Sequence, residues 1–335
     1  MKPKLLILEL WGLGDLVIAT PFLREASRRY AVTVVSKPFG LDLQPRLWPQ
    51  VRVVPFVAPW TAFKRKYRFW HWPWRPMIRL VRALASEHFE AGASARWDPR
   101  DHFLLRMVGA RARYGFPRLK SDIWLTHPLP RPDPISHRYE SWRTIGRALG
   151  LELPERDALN QPPARRDGAV LVHTGAGQAI RVWPLERYRD LVTRLRAEGH
   201  FVQVACDPDQ RAWWLQQGES QVATPRTVTE LLDLLDRAAV FVGNDSGPGH
   251  LAAFCGVPTF TLFGPQVPEW FVPLHPQAEL IEGKPCPYKP CFDYCRMPAP
   301  QCLLNLDSNE VQERVLAFVA RHLTARPAKP VAPAG

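Results

Sequence analysis

Short apolar runs recur along this chain, each stopped by a polar turn, with stretches between them whose apolar positions repeat every three or four residues. "KLLILEL" (4–10), "AVTVVS" (31–36), "AVLVHTG" (169–175), "FVQVAC" (201–206), "AVFVGN" (239–244) and "TFTLF" (259–263) predict strands. Helical spacing predicts helices over 16–30, 101–110, 135–152, 208–217, 227–238 and 309–323. One more, "PLERYRDLVTRLRAEG", is opened by Pro184 and stopped by Gly199. "HFEAGASAR" (88–96) reads as a strand and turn, and 58–84, basic and rich in Trp and Pro, as irregular. The alternation runs twice, interrupted by "LPERDALNQPPARRDG" (153–168), which has three prolines and no apolar period. The expectation is an α/β protein of two parallel-sheet domains, 1–155 and 167–325, with a disordered tail at 326–335.

Composition narrows the class. With 46% hydrophobic residues in 335, the chain can bury substantial cores. "MKPKLLILEL" runs from a charged pair straight into a strand, and no apolar run is long enough to span a bilayer, so a cytoplasmic protein is expected. The formal charge of +12 favours an anionic partner: nucleic acid, a membrane surface or a phosphorylated substrate.

Two strand-to-helix turns carry candidate chemistry. In "NDSGPGH" (244–250), Gly247 and Gly249 would let an anion approach the backbone, while Pro248 fits the first helical position. The N–H groups of Gly249 and His250 would then point outward, and Asp245 and Ser246 could cap the helix or touch a ligand. The bland alternative is a well-capped turn. In "HTGAGQAIRVWP" (173–184), Thr174 offers a hydroxyl, Gly175 and Gly177 open backbone, and Arg181 a cation suited to phosphate. "WGLGDLVIATP" (11–21) lacks the third glycine of a dinucleotide fingerprint, which leaves Asp15, a helix cap or a functional carboxylate, as its notable residue.

Together these segments resemble glycosyltransferase family 9, the ADP-heptose:lipopolysaccharide heptosyltransferases. "LGDLVIATPFL", "HTGAGQAIRVWPLERYRDL" and "VGNDSGPGHLAAFCGVPTFTLFGP" carry the resemblance, "DHFLLRMVGARARYGFP" follows in order, and it spans roughly 3–320. It implies a GT-B fold: two Rossmann-like domains facing across a cleft, acceptor in the first and nucleotide-sugar donor in the second. It also implies inverting transfer without an obligatory metal or other cofactor. Asp15 matches the proposed general base, and Thr174, Arg181, Asp245, Ser246, Gly247 and His250 match donor-binding positions. Arg181 stands where the family commonly has Lys. Asp209, in "CDPDQ", is the candidate for the donor ribose. The implied partners are ADP-heptose and a phosphorylated glycan or lipopolysaccharide core acceptor.

Other readings compete. Asp207 and Asp209 form the DxD of metal-dependent GT-A transferases, a match short enough to arise by chance. A GT-B-like nucleotide-sugar epimerase would turn over donor alone. Residues 60–82 hold seven Lys or Arg, among them Lys64, Arg65, Lys66 and Arg68, with four Trp and no acid. Such a segment suits single-stranded nucleic acid, a lipid headgroup interface at the inner membrane or the acceptor side, or simple packing. The resemblance favours a peripheral membrane contact over nucleic acid. Cys286, Cys291, Cys295 and Cys302 either form a tetrathiolate metal site or remain reduced structural thiols.

Overall fold

In the computed structural model, residues 2–62, 68–159, 162, 167–284 and 286–323 are described. The chain divides into two compact units, Met1–Arg156 and Asp157–Gly335. The tail expected at 326–335 lies outside the described residues.

Unit 1 opens with strand β1 (Lys4–Glu9), then helices α1 (Leu13–Ile18) and α2 (Thr20–Arg29), strand β2 (Ala31–Ser36), helix α3 (Gly40–Leu47) and strand β3 (Arg52–Pro55). After α4 (Trp74–Ala85) come β4 (Ala91–Ala93), α5 (Pro99–Val108), β5 (Ala112–Gly115), β6 (His127–Pro128) and α6 (Tyr139–Ala148). Its strands form a six-stranded sheet in the order β3-β2-β1-β4-β5-β6, and every pairing is parallel. The order reverses direction between β1 and β4.

Unit 2 contains β7 (Ala169–His173), α7 (Leu185–Ala197), β8 (Val202–Ala205), α8 (Arg211–Gln216), α9 (Val228–Leu235) and β9 (Ala238–Asn244). It continues with α10 (Gly247–Phe254), β10 (Thr259–Phe263), α11 (Pro268–Phe271), β11 (Glu279–Glu282), α12 (Gln301–Leu304) and α13 (Ser308–His322). Five strands lie in the order β11-β10-β9-β7-β8, again all parallel. Here the reversal falls between β7 and β9. Strands buried on both faces read as continuous apolar runs, as parallel sheets covered by helices require.

Two expectations change in detail. The single helix expected over 16–30 is two, α1 and α2, broken at Ala19. Pro21 sits in the first turn of α2 and has no N–H with which to continue α1. The segment read as irregular contains α4. Pro76 falls in its first turn, where the missing N–H costs no helical bond. Met77, Leu80, Val81 and Leu84, at helical spacing, pack on the core that holds Leu6, Leu8 and Leu105. Trp60 joins that core and donates its indole N–H to Asp101 Oδ1 at 2.9 Å.

One glycine fixes the exit from α10. Gly256 has φ +78°, and a Cβ there would lie 2.3 Å from the Pro162 carbonyl oxygen. Gly256→Ala should therefore lower unfolding stability by more than the roughly 1 kcal/mol cost of a left-handed non-glycine residue, read from urea denaturation. An unchanged midpoint would show that this contact yields.

Candidate functional site

The strongest constellation stands where the sheet order of unit 2 reverses, the place at which open parallel sheets bind ligands. β7 delivers the loop from Thr174, and β9 delivers the turn leading into α10. Asn244, at the end of β9, is fully buried and ties the two together. Its Nδ2 donates to the carbonyls of Thr174 (2.9 Å) and Gly175 (3.3 Å). Its Oδ1 accepts from the Trp183 backbone N–H (3.0 Å) and the Tyr188 hydroxyl (2.9 Å). Trp183 and Tyr188 are themselves buried edge to face, 5.0 Å apart, so one amide fixes both loops and the start of α7.

Asp245, Ser246 and His250 are buried in this turn, and Gly247 opens α10. Pro248 takes the second helical position rather than the first. The Gly249 N–H, expected to point outward, donates to the Ser246 carbonyl at 3.2 Å. Ser246 Oγ donates to the Asn244 carbonyl at 3.2 Å and does not cap the helix.

Arg181 is brought to the same turn. Its Nε and NH2 donate to the two carboxylate oxygens of Asp293, each at 2.7 Å, and NH1 lies 3.3 Å from Asp245 Oδ2. Asp293, in the cysteine-rich segment, was not singled out from sequence. It presents the paired oxygens that a phosphate would present to a guanidinium.

Two expected donor residues are placed differently. Thr174 is fully buried; its hydroxyl donates to Gln210 Oε1 (2.8 Å) and accepts from the Trp214 indole (3.3 Å), so its side chain serves packing here. Asp209 is exposed, whereas Asp207 lies against the glycine loop. A Cβ on Gly175 would stand 2.3 Å from Asp207 Cγ. Burial, first, raises the Asp207 pKa, opposed by a hydrogen bond from the Ala176 backbone.

Unit 1 has its own constellation, also where its strand order reverses. Asp15 lies in the first turn of α1, with Oδ2 accepting the Gly12 N–H at 3.1 Å. Its other oxygen, Oδ1, is 3.3 Å from Arg96 NH1, in the loop after β4. Arg96 stacks 4.5 Å over the Trp11 ring. Glu9, Asp15, Arg96 and Arg138 line one cavity of ≈ 10 Å³, about the size of a water molecule. Burial and then the Asp15 charge push Glu9 up to about 8. Burial lowers Lys37, against the pull of Asp15 and Glu9, and lowers Arg138 to about 10.

The description "Glycosyltransferase family 9 (heptosyltransferase)" matches residues 138–299. Lipopolysaccharide heptosyltransferase 1 of Pseudomonas aeruginosa is 26% identical over 318 residues, covering 86% of each chain. Lipopolysaccharide heptosyltransferase 3 of Escherichia coli is 23% identical over 283 residues, 75% of this chain and 80% of its own. The solved E. coli heptosyltransferase WaaC with ADP superposes with a TM-score of 0.71 at 18% identity, covering 94% of this chain and 99% of that one. Over residues 138–299 the chain thus resembles glycosyltransferase family 9. It is a glycosyltransferase, and its two all-parallel sheets are those of the GT-B fold.

The remaining candidates fall outside both constellations. Lys64, Arg65 and Lys66 lie outside the described residues. Arg68 is exposed and precedes a patch in which Phe69, Trp70, Trp74 and Ile78 are also exposed. Trp60 and Trp72 instead pack on each other, tilted, with ring centroids 5.6 Å apart. The basic segment thus divides between packing and surface. No described helix is long and apolar enough to cross a membrane.

The tetrathiolate reading needs correcting. Cys302 is buried, Cys286 and Cys291 are half-buried and Cys295 is exposed, all as free cysteines. Among the described residues no group of three or more His, Cys, Asp or Glu is arranged to hold a metal ion. Burial, first, raises Cys302 against the pull of Lys289, and the neighbouring thiols add to the rise.

Asn244→Ala removes four hydrogen bonds at once and leaves the buried Trp183 N–H and Tyr188 hydroxyl without partners, while the Thr174 carbonyl keeps Gln210 Nε2 at 3.3 Å. It should destabilise the protein by at least about 2 kcal/mol, since each orphaned buried group costs roughly 1–3 kcal/mol. Chemical denaturation followed by Trp fluorescence checks this; a loss below about 1 kcal/mol would show that the loops hold without the amide.

Proposed function

We propose that the protein transfers a heptose, with inversion, from ADP-heptose to a phosphorylated glycan of the lipopolysaccharide-core class. The observation that carries the donor half is the turn of residues 244–250 beside Arg181, at the strand-order reversal of unit 2. The names of the relatives, and the ADP held by one solved relative, point the same way.

Cleaving the anomeric C–O bond builds oxocarbenium character on the sugar and negative charge on the departing diphosphate. In this reading the first turn of α10, with Gly247 and Gly249 allowing close approach, meets that charge. Arg181 adds positive charge and His250 a hydrogen-bond donor, and this reading calls on no metal. Asp245 holds Arg181 from the other side. Asp207, rather than Asp209, is the carboxylate placed to meet donor hydroxyls at the glycine loop. The acceptor binds unit 1, where Arg96, Arg138 and Lys37 gather positive charge about Asp15. Asp15 takes the proton of the attacking hydroxyl. Its Oδ2 already caps α1, so Oδ1, on the Arg96 side, is the proton acceptor.

α4 suggests where the enzyme works. Trp74 and Ile78 are exposed beside the exposed Arg75, Arg79 and Arg82, an amphipathic arrangement suited to an anionic bilayer surface. A cytoplasmic enzyme resting on the inner membrane would meet a lipid-linked acceptor there.

The central test is ADP release from ADP-heptose in the presence and absence of lipopolysaccharide core. Acceptor-dependent release is expected; turnover of donor alone would favour an epimerase instead. Asp15→Asn keeps an oxygen to cap α1, so melting should stay near wild type while kcat falls at least about a hundredfold. A variant that transfers sugar normally would leave Asp15 as a cap only.

For the surface, co-sedimentation with phosphatidylglycerol-rich vesicles should decline as salt rises, because surface attraction is screened over about 10 Å at 0.1 M. The double substitution Trp74→Glu, Ile78→Glu should abolish it. Binding that ignores salt, or that survives the substitution, would return α4 to a packing role.

A further inference from the structure

Glu9 closes β1 at the strand-order reversal of unit 1, and no motif drew attention to it. Its side chain is 2% exposed, and Oε1 has no hydrogen-bond partner. The charged groups that face it come from several elements: Asp15 on α1, Arg96 after β4, Asp101 on α5 and Lys37 after β2. Arg138, before α6, lines the same cavity.

A carboxyl in this position lowers stability. Burying a carboxylate with an orphaned oxygen is unfavourable, and the nearby Asp15 charge adds repulsion. With its pKa raised to about 8, Glu9 is neutral in the folded protein near neutral pH but ionised once unfolded. The cost of keeping Glu9 from ionising is absent below the ordinary carboxylate range, grows as pH rises above it and is complete once pH passes about 8. A perturbed group that weakens the fold near neutral pH and shares a cavity with the candidate base points to a role in the reaction.

The position of Arg96 supplies that role. The guanidinium is stacked on Trp11, paired with Asp15 and within electrostatic reach of Glu9. While Glu9 is neutral, Asp15 pairs with Arg96 without competition from Glu9; once Glu9 is charged, the two carboxylates compete for it. We propose that Glu9 is a positioning residue whose neutral carboxyl reserves Arg96 for Asp15 and so fixes the orientation of the base. This rests on Asp15 being the base.

The test is carbon-13 NMR of the whole protein labelled at aspartate carboxyl carbons, with the Asp15 signal assigned by its loss in Asp15→Asn. The Asp15 signal should move with a midpoint near pH 8 in the wild type, and that step should vanish in Glu9→Gln. In the ADP-heptose assay, wild-type kcat/KM for the core acceptor should fall about tenfold between about pH 7 and about pH 9, as one group titrating near 8 requires. The same ratio should stay within about twofold in Glu9→Gln. A Glu9 that merely fills space would change melting in the variant and leave both profiles alone. Should Glu9→Gln fail to fold, Glu9→Asp keeps a titrating carboxyl one methylene shorter and must shift the midpoint. A step that persists in Glu9→Gln, one unmoved in Glu9→Asp, or none in the wild type overturns the proposal. A fully active Asp15→Asn would instead remove the base assignment, with the NMR coupling of the two carboxyls still readable.

Discussion

The side-chain amide of Asn244 is the constraint on which unit 2 depends. In a parallel sheet, the loops beyond the strand ends have no ladder to satisfy their backbone groups. Two such loops meet where β7 and β9 run side by side. One residue with two donors and two acceptor lone pairs closes both, and each of its polar atoms is used twice. Leucine or valine of similar size would leave the buried Trp183 N–H and Tyr188 hydroxyl open and take a donor from two carbonyls. The buried Trp183 and Tyr188 then hold the amide in place.

With the loops fixed, the electrostatics of the site follow. Arg181 is oriented by two carboxylates from different segments, Asp293 and Asp245, and presents a preorganised guanidinium beside α10. Unit 1 uses the opposite arrangement. There a carboxylate, Asp15, has Arg96, Arg138 and Lys37 about it, and a second carboxyl, Glu9, lines the same cavity. Each unit thus holds one central charge among its opposites, at the point in its sheet where strand order reverses.

Much of this was legible in the chain itself. Apolar runs of strand length alternating with helical periods can satisfy their backbone and bury their side chains in one way only, as parallel sheets covered by helices. The turns at 244–250 and 173–184 stood out because glycine, proline and small polar residues between a strand and a helix have few structural uses. α4 was missed, though Met77, Leu80, Val81 and Leu84 carry its period, because dense Trp and Pro obscured it. Asn244 was noted without a role, and Glu9 was read as part of a strand.

The sequence by itself determined the class of fold, the two repeats of the strand–helix alternation and the turns rich in candidate groups, because these depend on local period and local backbone freedom. Only the tertiary structure decided which groups meet. Strand order, which no local pattern encodes, set β7 beside β9 and β1 beside β4. It thereby brought Asp293 to Arg181 across 112 positions and Asn244 to Thr174 across 70. It also turned the Thr174 hydroxyl into the core, placed Asp207 instead of Asp209 against the glycine loop, and buried Glu9 beside Asp15. A side chain's chemistry depends on the charges and burial around it, and those neighbours come from segments far apart in the chain.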